Sequence, residues 1–363
     1  MPEVDLYDRI LGSLAAGVIG DAMGAATEQR SFEEIVRLFG APVREFHRPP
    51  PDSPFAGGRE AAQITDDAGQ MLAMARALIE TGGTLSVEAV ARHLLRWAED
   101  AEVFRRFAGP TTRAAIEAMR EGVPPLEAGR RGRLTSVGTS NGAAMRVAPA
   151  GLAHPGDIDG AVHDAVVMCL PTHATQLAMA GAAAVAAGVA RALTPDADVY
   201  SVVQAAFAGA EQGEAAGRRE GRVVAGPSVQ RRMELAVALA VRHPDLLEAV
   251  QAIHAVVGSG LHIAEAVPAA VGVFVAAGGD PLEAIVGAVN IGDDTDTVAI
   301  IAGSLAGALR GARALPADLI ERVERANGLD LRAVARELTA LAERVRLGRP
   351  RPSPGRGPAA EGR

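Results

Sequence analysis

The sequence predicts an all-α protein that folds as one compact domain. Apolar residues recur at helical spacing through most of the chain, whereas a segment with the alternating, β-branched pattern of a strand is hard to find. Small residues are frequent in these segments, so the helices can approach one another closely. With 48% hydrophobic but only 3% aromatic residues, the core is expected to consist mainly of Ala, Val, Leu and Ile.

The predicted helices follow one another along the whole domain. The first spans residues 5–25, where Leu6, Ile10 and Leu14 recur at helical spacing. The second spans 67–81 and ends before two glycines, which commonly terminate helices. Further Ala-rich helices are predicted, in chain order, at residues 86–98, 111–121, 160–168, 174–193, 198–217, 229–241, 245–257, 262–277, 281–289, 295–310, 316–325 and 330–346.

Three segments interrupt this pattern. Residues 40–63 are rich in proline and glycine and form a predicted loop that is too long for a simple connector. Residues 131–151 are predicted to be irregular. Residues 348–363 have low complexity, so we expect one folded domain over residues 1–346 and a disordered Pro/Gly/Arg tail over 347–363.

The composition excludes several kinds of protein. The net charge of −8 argues against a nucleic-acid binder, which would normally carry a basic face. Every basic side chain is arginine, and the absence of lysine excludes a Schiff-base lysine and a complete Walker A loop. The single cysteine, Cys169, cannot form an internal disulfide, and its apolar neighbours indicate a buried core residue.

The location can also be predicted from the sequence. The acidic N-terminus lacks the basic and apolar regions of a signal peptide. The longest apolar stretch, 177–190, is too short and too rich in alanine to span a bilayer convincingly. We therefore expect a soluble cytoplasmic protein that makes no membrane contact and is a monomer.

An acidic cluster, GDDTDT at residues 292–297, lies between two apolar segments. Three carboxylates (Asp293, Asp294 and Asp296) and two hydroxyls occupy five consecutive positions. Helix capping would explain one Asp or Thr at such a place, because the first turn of a helix favours both. Several neighbouring carboxylates repel one another and are costly to bury without a counter-charge.

A second cluster, ITDDAGQ at residues 64–70, places Thr65, Asp66 and Asp67 before another helix. Capping or a metal site could account for each cluster alone, whereas two such clusters together favour a metal site. Oxygen ligands without His or Cys suit Mg²⁺ or Mn²⁺ better than zinc. Asp21 and Glu28 lie at the end of the first helix, where Glu28 could equally be an ordinary surface residue.

Several segments carry a resemblance to a known family. They are GSLAAGVIGDAMGAATE, ITDDAGQMLAMARAL, SNGAAMRVAP, THATQ and VNIGDDTDTVAIIAGSLAGALRG. In this order they resemble the ADP-ribosylglycohydrolase family, over about residues 8–315. That family includes the bacterial dinitrogen-reductase-activating glycohydrolase and the animal ADP-ribosyl-acceptor hydrolases. The resemblance implies an all-α orthogonal multi-helix bundle and a centre of two Mg²⁺ or Mn²⁺ ions that cleaves the bond from ADP-ribose C1″ to an acceptor.

The resemblance also implies roles for individual residues. Glu28, Asp67 and Asp296 are the catalytic candidates, with Asp296 as the bridge between the ions and either Glu28 or a ligand Asp as the base. The implied metal ligands are Thr65, Asp66, Asp67, Asp294, Asp296 and Thr297. The implied substrate-binding residues are Asn141, Gly142, His173, Ser259 and Gly260. Without the family, Asn141-Gly142 would be a plain turn and His173 a helix-start residue.

Three positions depart from the family pattern. Ala68 replaces a threonine after the Asp pair, Gln70 stands where an apolar residue is usual, and Asp293 replaces the second glycine of GGDTDT. None of these changes alters an implied metal ligand, but they leave the identity of the substrate undetermined. Arginine-linked ADP-ribose is favoured; the alternatives are O-acetyl-ADP-ribose, serine-linked ADP-ribose, another riboside, or a non-catalytic role like that of a lens crystallin in the family. Asp293 could grip a guanidinium or point away as a helix-start residue.

Overall fold

The computed structural model describes residues 5–134 and 136–348, and these are almost entirely helical. The helices are α1 Leu6–Gly24, α2 Phe32–Phe39, α3 Asp66–Thr81, α4 Val87–Trp97, α5 Ala101–Phe107, α6 Pro110–Arg120, α7 Pro125–Gly129, α8 Ala148–Leu152, α9 Ile158–Cys169, α10 Gln176–Ala192, α11 Val199–Glu220, α12 Val229–Arg242, α13 Leu246–Val257, α14 Ile263–Ala276, α15 Pro281–Val289, α16 Thr295–Arg310, α17 Ala317–Asn327 and α18 Leu331–Arg346. Within the described ranges, β-pairing is limited to two isolated bridges. Most of the predicted tail lies outside the described residues.

Each long predicted helix is present, and its ends differ from the prediction by a few residues. The helices that the sequence did not indicate are short: α2, α5, α7 and α8. A helix of one or two turns repeats its apolar positions too few times for the spacing to be recognised. The segment 131–151, predicted to be irregular, contains most of α8 and one turn of 3₁₀ helix at Asn141–Ala143. The irregular course of residues 40–63 is confirmed.

Helices α1 and α16 form an antiparallel pair at the centre of the molecule. A Cβ atom on Gly12 would lie 2.5 Å from the carbonyl oxygen of Gly307, and one on Gly24 would lie 2.5 Å from Cα of Asp296. The backbones are therefore close at both ends of the contact, and only glycine fits there. Because the pair is antiparallel, the last turn of α1 lies beside the first turn of α16.

Asp21 on α1 brings the start of α3 to the same place. Its side chain is fully buried and accepts hydrogen bonds from the amide nitrogens of Thr65 and Ala68, at 3.0 and 3.2 Å, and from the Thr65 hydroxyl. Burial raises the pKa of Asp21 to about 6, and the hydrogen bonds from Thr65 and Ala68 oppose this rise. The N-termini of α3 and α16 thus converge beside the end of α1.

The segment around Asn141 covers this convergence from one side. The amide of Asn141 donates to the carbonyl of Leu261, and the amide of Ile263 donates to the carbonyl of Thr139. These bonds attach the segment to the start of α14. Among the described residues, no helix has the length and apolar character needed to cross a membrane.

Candidate metal centre

A cavity of about 720 Å³ opens where α1, α3 and α16 meet. One end of it is acidic, and five of the predicted site carboxylates and one hydroxyl lie there. These residues are Glu28, Asp66, Asp67, Asp294, Asp296 and Thr297. The two acidic clusters, separated by more than two hundred residues in the sequence, therefore share one wall of one cavity.

The distances within the acidic end are short. One carboxylate oxygen from each of Glu28, Asp294 and Asp296 can be chosen so that all three lie within 4.8 Å of one another. The Thr297 hydroxyl donates to Oδ2 of Asp67 at 2.7 Å and so joins the α16 cluster to the α3 cluster. This group of oxygen atoms can hold a metal ion.

The electrostatics of the site favour either protons or a cation on its carboxylates. Burial raises the pKa of Asp66, Asp67 and Asp296 well above the usual range, and repulsion from neighbouring carboxylates raises it further. Burial and repulsion, chiefly from Asp294, act on Glu28 in the same way. Within residues 5–134 and 136–348, no arginine or histidine forms an ion pair with these acids. A divalent cation with hard oxygen ligands fits this donor set.

Helix capping accounts for only part of the two clusters. The Thr65 hydroxyl accepts from the amide of Asp67 at 3.2 Å, which is a cap of α3. Asp294 is the N-cap residue of α16, yet its side chain makes no capping hydrogen bond. It accepts instead from Nδ2 of Asn141 at 2.7 Å. Capping therefore explains Thr65 but not the buried carboxylates.

Thr65 and Asp21 lie behind the cavity wall. The Thr65 hydroxyl donates to Asp21, and Thr65 is not among the residues that line the cavity. Asp21 was not predicted as a site residue, although it positions the first turn of α3. The signal that could have identified it is a single acid among the small and apolar residues of the first predicted helix.

The predicted substrate-side residues are placed at different depths. Asn141 and Gly142 line the cavity, as does Ser140. His173 is fully buried one layer behind, with its Nε2 at 2.8 Å from Oγ of Ser140. Ser259 is also buried, and its hydroxyl donates to the carbonyl of Gly292 at 2.8 Å.

Asp293 faces the cavity. Its side chain is exposed at the cavity wall, and its Oδ2 would lie 2.7 Å from a Cβ atom on Gly260. Its backbone accepts from the amide of Gln29 at 2.7 Å and donates to the carbonyl of Arg30 at 3.0 Å, with a φ of 63°. Asp293 therefore lies at the cavity wall, immediately before the N-cap residue of α16.

The cavity lining also includes arginine and aromatic side chains that the sequence did not indicate. Arg105, Arg106 and Phe107 come from the end of α5, and Arg113 comes from α6. Arg113 donates to the carbonyls of Arg105 and Ala108, both at 3.1 Å. The cavity lining therefore includes both carboxylates and guanidinium groups, and only the carboxylates lie in a recognisable sequence motif.

Comparison with known proteins agrees with this architecture. The family model for ADP-ribosylglycohydrolases matches residues 2–351. YegU of Escherichia coli is 33% identical over 340 residues, which cover 93% of this chain and 97% of YegU. The ADP-ribosyl-dinitrogen reductase glycohydrolase of Rhodospirillum rubrum is 34% identical over 164 residues, 42% of this chain and 48% of that one.

A solved structure, that of an ADP-ribosylglycohydrolase-related protein complex, has the same fold. It matches with a TM-score of 0.63 at 24% identity and covers 93% of this chain and 99% of its own. The family match over residues 2–351, together with the near-complete alignment to YegU, establishes the family of this chain. The chain belongs to the ADP-ribosylglycohydrolase family and is a hydrolase that acts on the glycosyl bonds of ADP-ribose.

Proposed function

We propose that this protein releases ADP-ribose from arginine-linked acceptors, with two Mg²⁺ or Mn²⁺ ions at the acidic end of the cavity. The observation that carries the proposal is one cavity that combines a buried group of carboxylates with an additional exposed acid, Asp293. The proposed ligands are Asp66, Asp67, Asp294, Asp296 and Thr297, with Thr65 supporting them from behind. Asp296 is the proposed bridge.

The divalent cations, when bound, would bind ribose hydroxyls and lower the pKa of the attacking water. Glu28 is only partly buried at the cavity wall, and we assign it the role of accepting the proton of that water. The water oxygen forms the new bond to C1″ while the C1″–N bond breaks, and the leaving guanidine takes up the proton that Glu28 removed from the water. The transition state has oxocarbenium character, as in glycoside hydrolysis generally. We assign Asn141 and Gly142 the role of binding the phosphates and the ribose of the substrate.

The acceptor assignment rests on charge. An arginine acceptor carries a planar cationic guanidinium, and a carboxylate can bind it through two parallel hydrogen bonds. Asp293 is the exposed acid next to the proposed ligands, and Glu28 is the other partly accessible carboxylate of this wall. The name of the Rhodospirillum relative states that it acts on ADP-ribosylated dinitrogen reductase. We infer the cationic class of acceptor for this chain from Asp293.

The test is a panel of three substrates: ADP-ribosyl-arginine, ADP-ribosyl-serine and O-acetyl-ADP-ribose. We expect turnover of the arginine-linked substrate with Mg²⁺ or Mn²⁺, none after EDTA treatment, and recovery when the cation is restored. Turnover of only the serine-linked or O-acetyl substrate would overturn the acceptor assignment. No turnover of any of the three, with cation bound, would leave another riboside as the substrate or a non-catalytic role.

A further inference from the structure

Arg146 is a fully buried cation behind the site. It lies between the 3₁₀ turn Asn141–Ala143 and α8, and none of its surface is exposed. Burial lowers the pKa of Arg146 to about 10, so the guanidinium is charged at neutral pH. Its hydrogen-bond acceptors are all neutral: the Gln70 amide, the Thr172 hydroxyl and the Met168 carbonyl. Such a charge is costly to bury, so its contacts call for an explanation.

One arm of contacts runs from Arg146 to the acidic cluster. A guanidinium can only donate hydrogen bonds, so the atom of Gln70 at 2.9 Å from Nη1 of Arg146 is the amide oxygen. The amide nitrogen of Gln70 then faces Oδ2 of Asp66 at 2.9 Å and donates to it. The orientation of this amide, and with it the position of Asp66, follows from the charge of Arg146.

The second arm runs from Arg146 to the substrate side. The Thr172 oxygen accepts from Nη2 of Arg146 at 2.5 Å, so its single proton is directed to Nδ1 of His173 at 2.8 Å. Burial, with a smaller effect of Arg146, lowers the pKa of His173 well below its usual range, so the ring is neutral. With Nδ1 accepting, the ring proton is on Nε2.

The last bond of this arm reaches the cavity. Nε2 of His173 lies 2.8 Å from Oγ of Ser140 and donates to it. The hydroxyl proton of Ser140 has no recipient among the described residues, and Ser140 lines the cavity. The second arm therefore ends in an O–H group that can donate to a ligand oxygen.

We propose that Arg146 is a positioning residue that sets the hydrogen-bond direction of both arms, so that Gln70 donates to Asp66 and Ser140 donates to an oxygen of bound ADP-ribose. This inference rests on the proposed function, because it takes Asp66 as a ligand of the cation and places ADP-ribose beside Ser140. It gives one shared role to Gln70, which departs from the family pattern, and to the buried Arg146.

The experiment compares single-arm variants with a matched control. Gln70→Leu removes the first arm, Ser140→Ala removes the end of the second, and Arg146→Lys keeps the charge but cannot reach both arms. Gln176→Leu is the control, since the buried side-chain amide of Gln176 bonds the backbone of Val224. The measurements are calorimetric Kd values for Mn²⁺ alone and for ADP-ribose with Mn²⁺ present, with Tm for each variant.

The expected pattern differs between the variants. Gln70→Leu should weaken Mn²⁺ binding about tenfold, because it removes a hydrogen bond that holds a proposed metal ligand, whereas Gln176→Leu should lower Tm and leave the Mn²⁺ Kd unchanged. Ser140→Ala should weaken ADP-ribose binding about tenfold through the lost hydrogen bond and leave Mn²⁺ binding unchanged. Arg146→Lys should weaken both. In ¹⁵N NMR, His173 should be the neutral Nε2–H tautomer in the wild type and lose that preference in Arg146→Lys.

Two results separate this inference from the proposed function. If the wild type binds Mn²⁺ but Gln70→Leu has the same Mn²⁺ Kd as Gln176→Leu, or if His173 carries its proton on Nδ1, the positioning role of Arg146 is wrong. If the wild type binds no Mn²⁺, the proposed metal centre itself is wrong. Should Arg146→Lys fail to fold, the two single-arm variants decide the question.

Discussion

Asp293 has a φ of 63°, in the left-handed region that residues other than glycine rarely adopt. The backbone is held there by bonds to Gln29 and Arg30, so the strain is built into the native state. Strain of this kind is retained most often at binding sites. At this position the strain places an acid at the wall of the cavity, beside the proposed ligands.

Two substitutions at Asp293 separate strain from charge. Asp293→Gly should stabilise the fold by about 1 kcal/mol, because glycine adopts a positive φ without strain, whereas Asp293→Asn should leave stability nearly unchanged. Both should raise KM for ADP-ribosyl-arginine about tenfold through the lost charge-assisted hydrogen bond. Urea unfolding and steady-state kinetics measure the two effects. An unchanged KM in both variants would remove Asp293 from acceptor binding.

The carboxylate of Glu28 lies near Asp294 and Asp296, so a role as metal ligand competes with its proposed role as proton acceptor. As the proton acceptor, Glu28→Gln should lower kcat about a hundredfold or more and keep the Mn²⁺ Kd near that of the wild type. Glu117→Gln is the matched control, since Glu117 lines the same cavity on α6 and is exposed. A weaker Mn²⁺ Kd, with kcat restored at high Mn²⁺, would make Glu28 a ligand instead.

At the scale of the elements, the long helices could be predicted because their apolar residues repeat over many turns. The convergence of α3 and α16 could be anticipated only from similar acidic motifs at two helix starts. The arginines of the cavity lining could not be anticipated from the sequence, because α5 and the start of α6 carry no motif and their position depends on tertiary packing. For the same reason the sequence could not show that Arg146 is buried rather than on the surface.

The contact between α1 and α16 gives an element-scale prediction. Gly24→Ala would place a methyl group 2.5 Å from Cα of Asp296, so the helices must separate at the start of α16. We expect a loss of about 2 kcal/mol in stability from overpacking, and weaker Mn²⁺ binding because Asp296 is displaced.

Gly209→Ala is the control for this prediction. It overpacks α11 against α10, where a Cβ atom would lie 2.5 Å from the carbonyl oxygen of Ala183. This variant should lose similar stability with the Mn²⁺ Kd unchanged. Equal Mn²⁺ Kd values for the two variants, measured by calorimetry, would show that the α1–α16 contact does not position the site.

At the scale of the whole molecule, the acidic cluster couples the stability of the fold to pH and to metal. The unfolded chain releases its carboxyl protons near pH 4, whereas burial and repulsion raise the pKa of Asp66, Asp67 and Asp296 in the fold. The metal-free fold therefore holds protons that the unfolded chain has lost. Its stability from these groups is present below the unfolded pKa and is lost as the pH rises through the folded pKa.

Metal-free protein should accordingly be less stable toward urea at pH 8 than at pH 5.5. Mn²⁺ at a hundredfold excess over Kd should add about 2.7 kcal/mol for each site at pH 8, and less at pH 5.5, because protons compete for the ligands. Asp296→Asn removes one repelling carboxylate, so this variant should be more stable than the wild type without metal and should gain little from Mn²⁺. Equal stability of the metal-free protein at both pH values, or a full Mn²⁺ gain in Asp296→Asn, would contradict the proposal that cations neutralise this cluster.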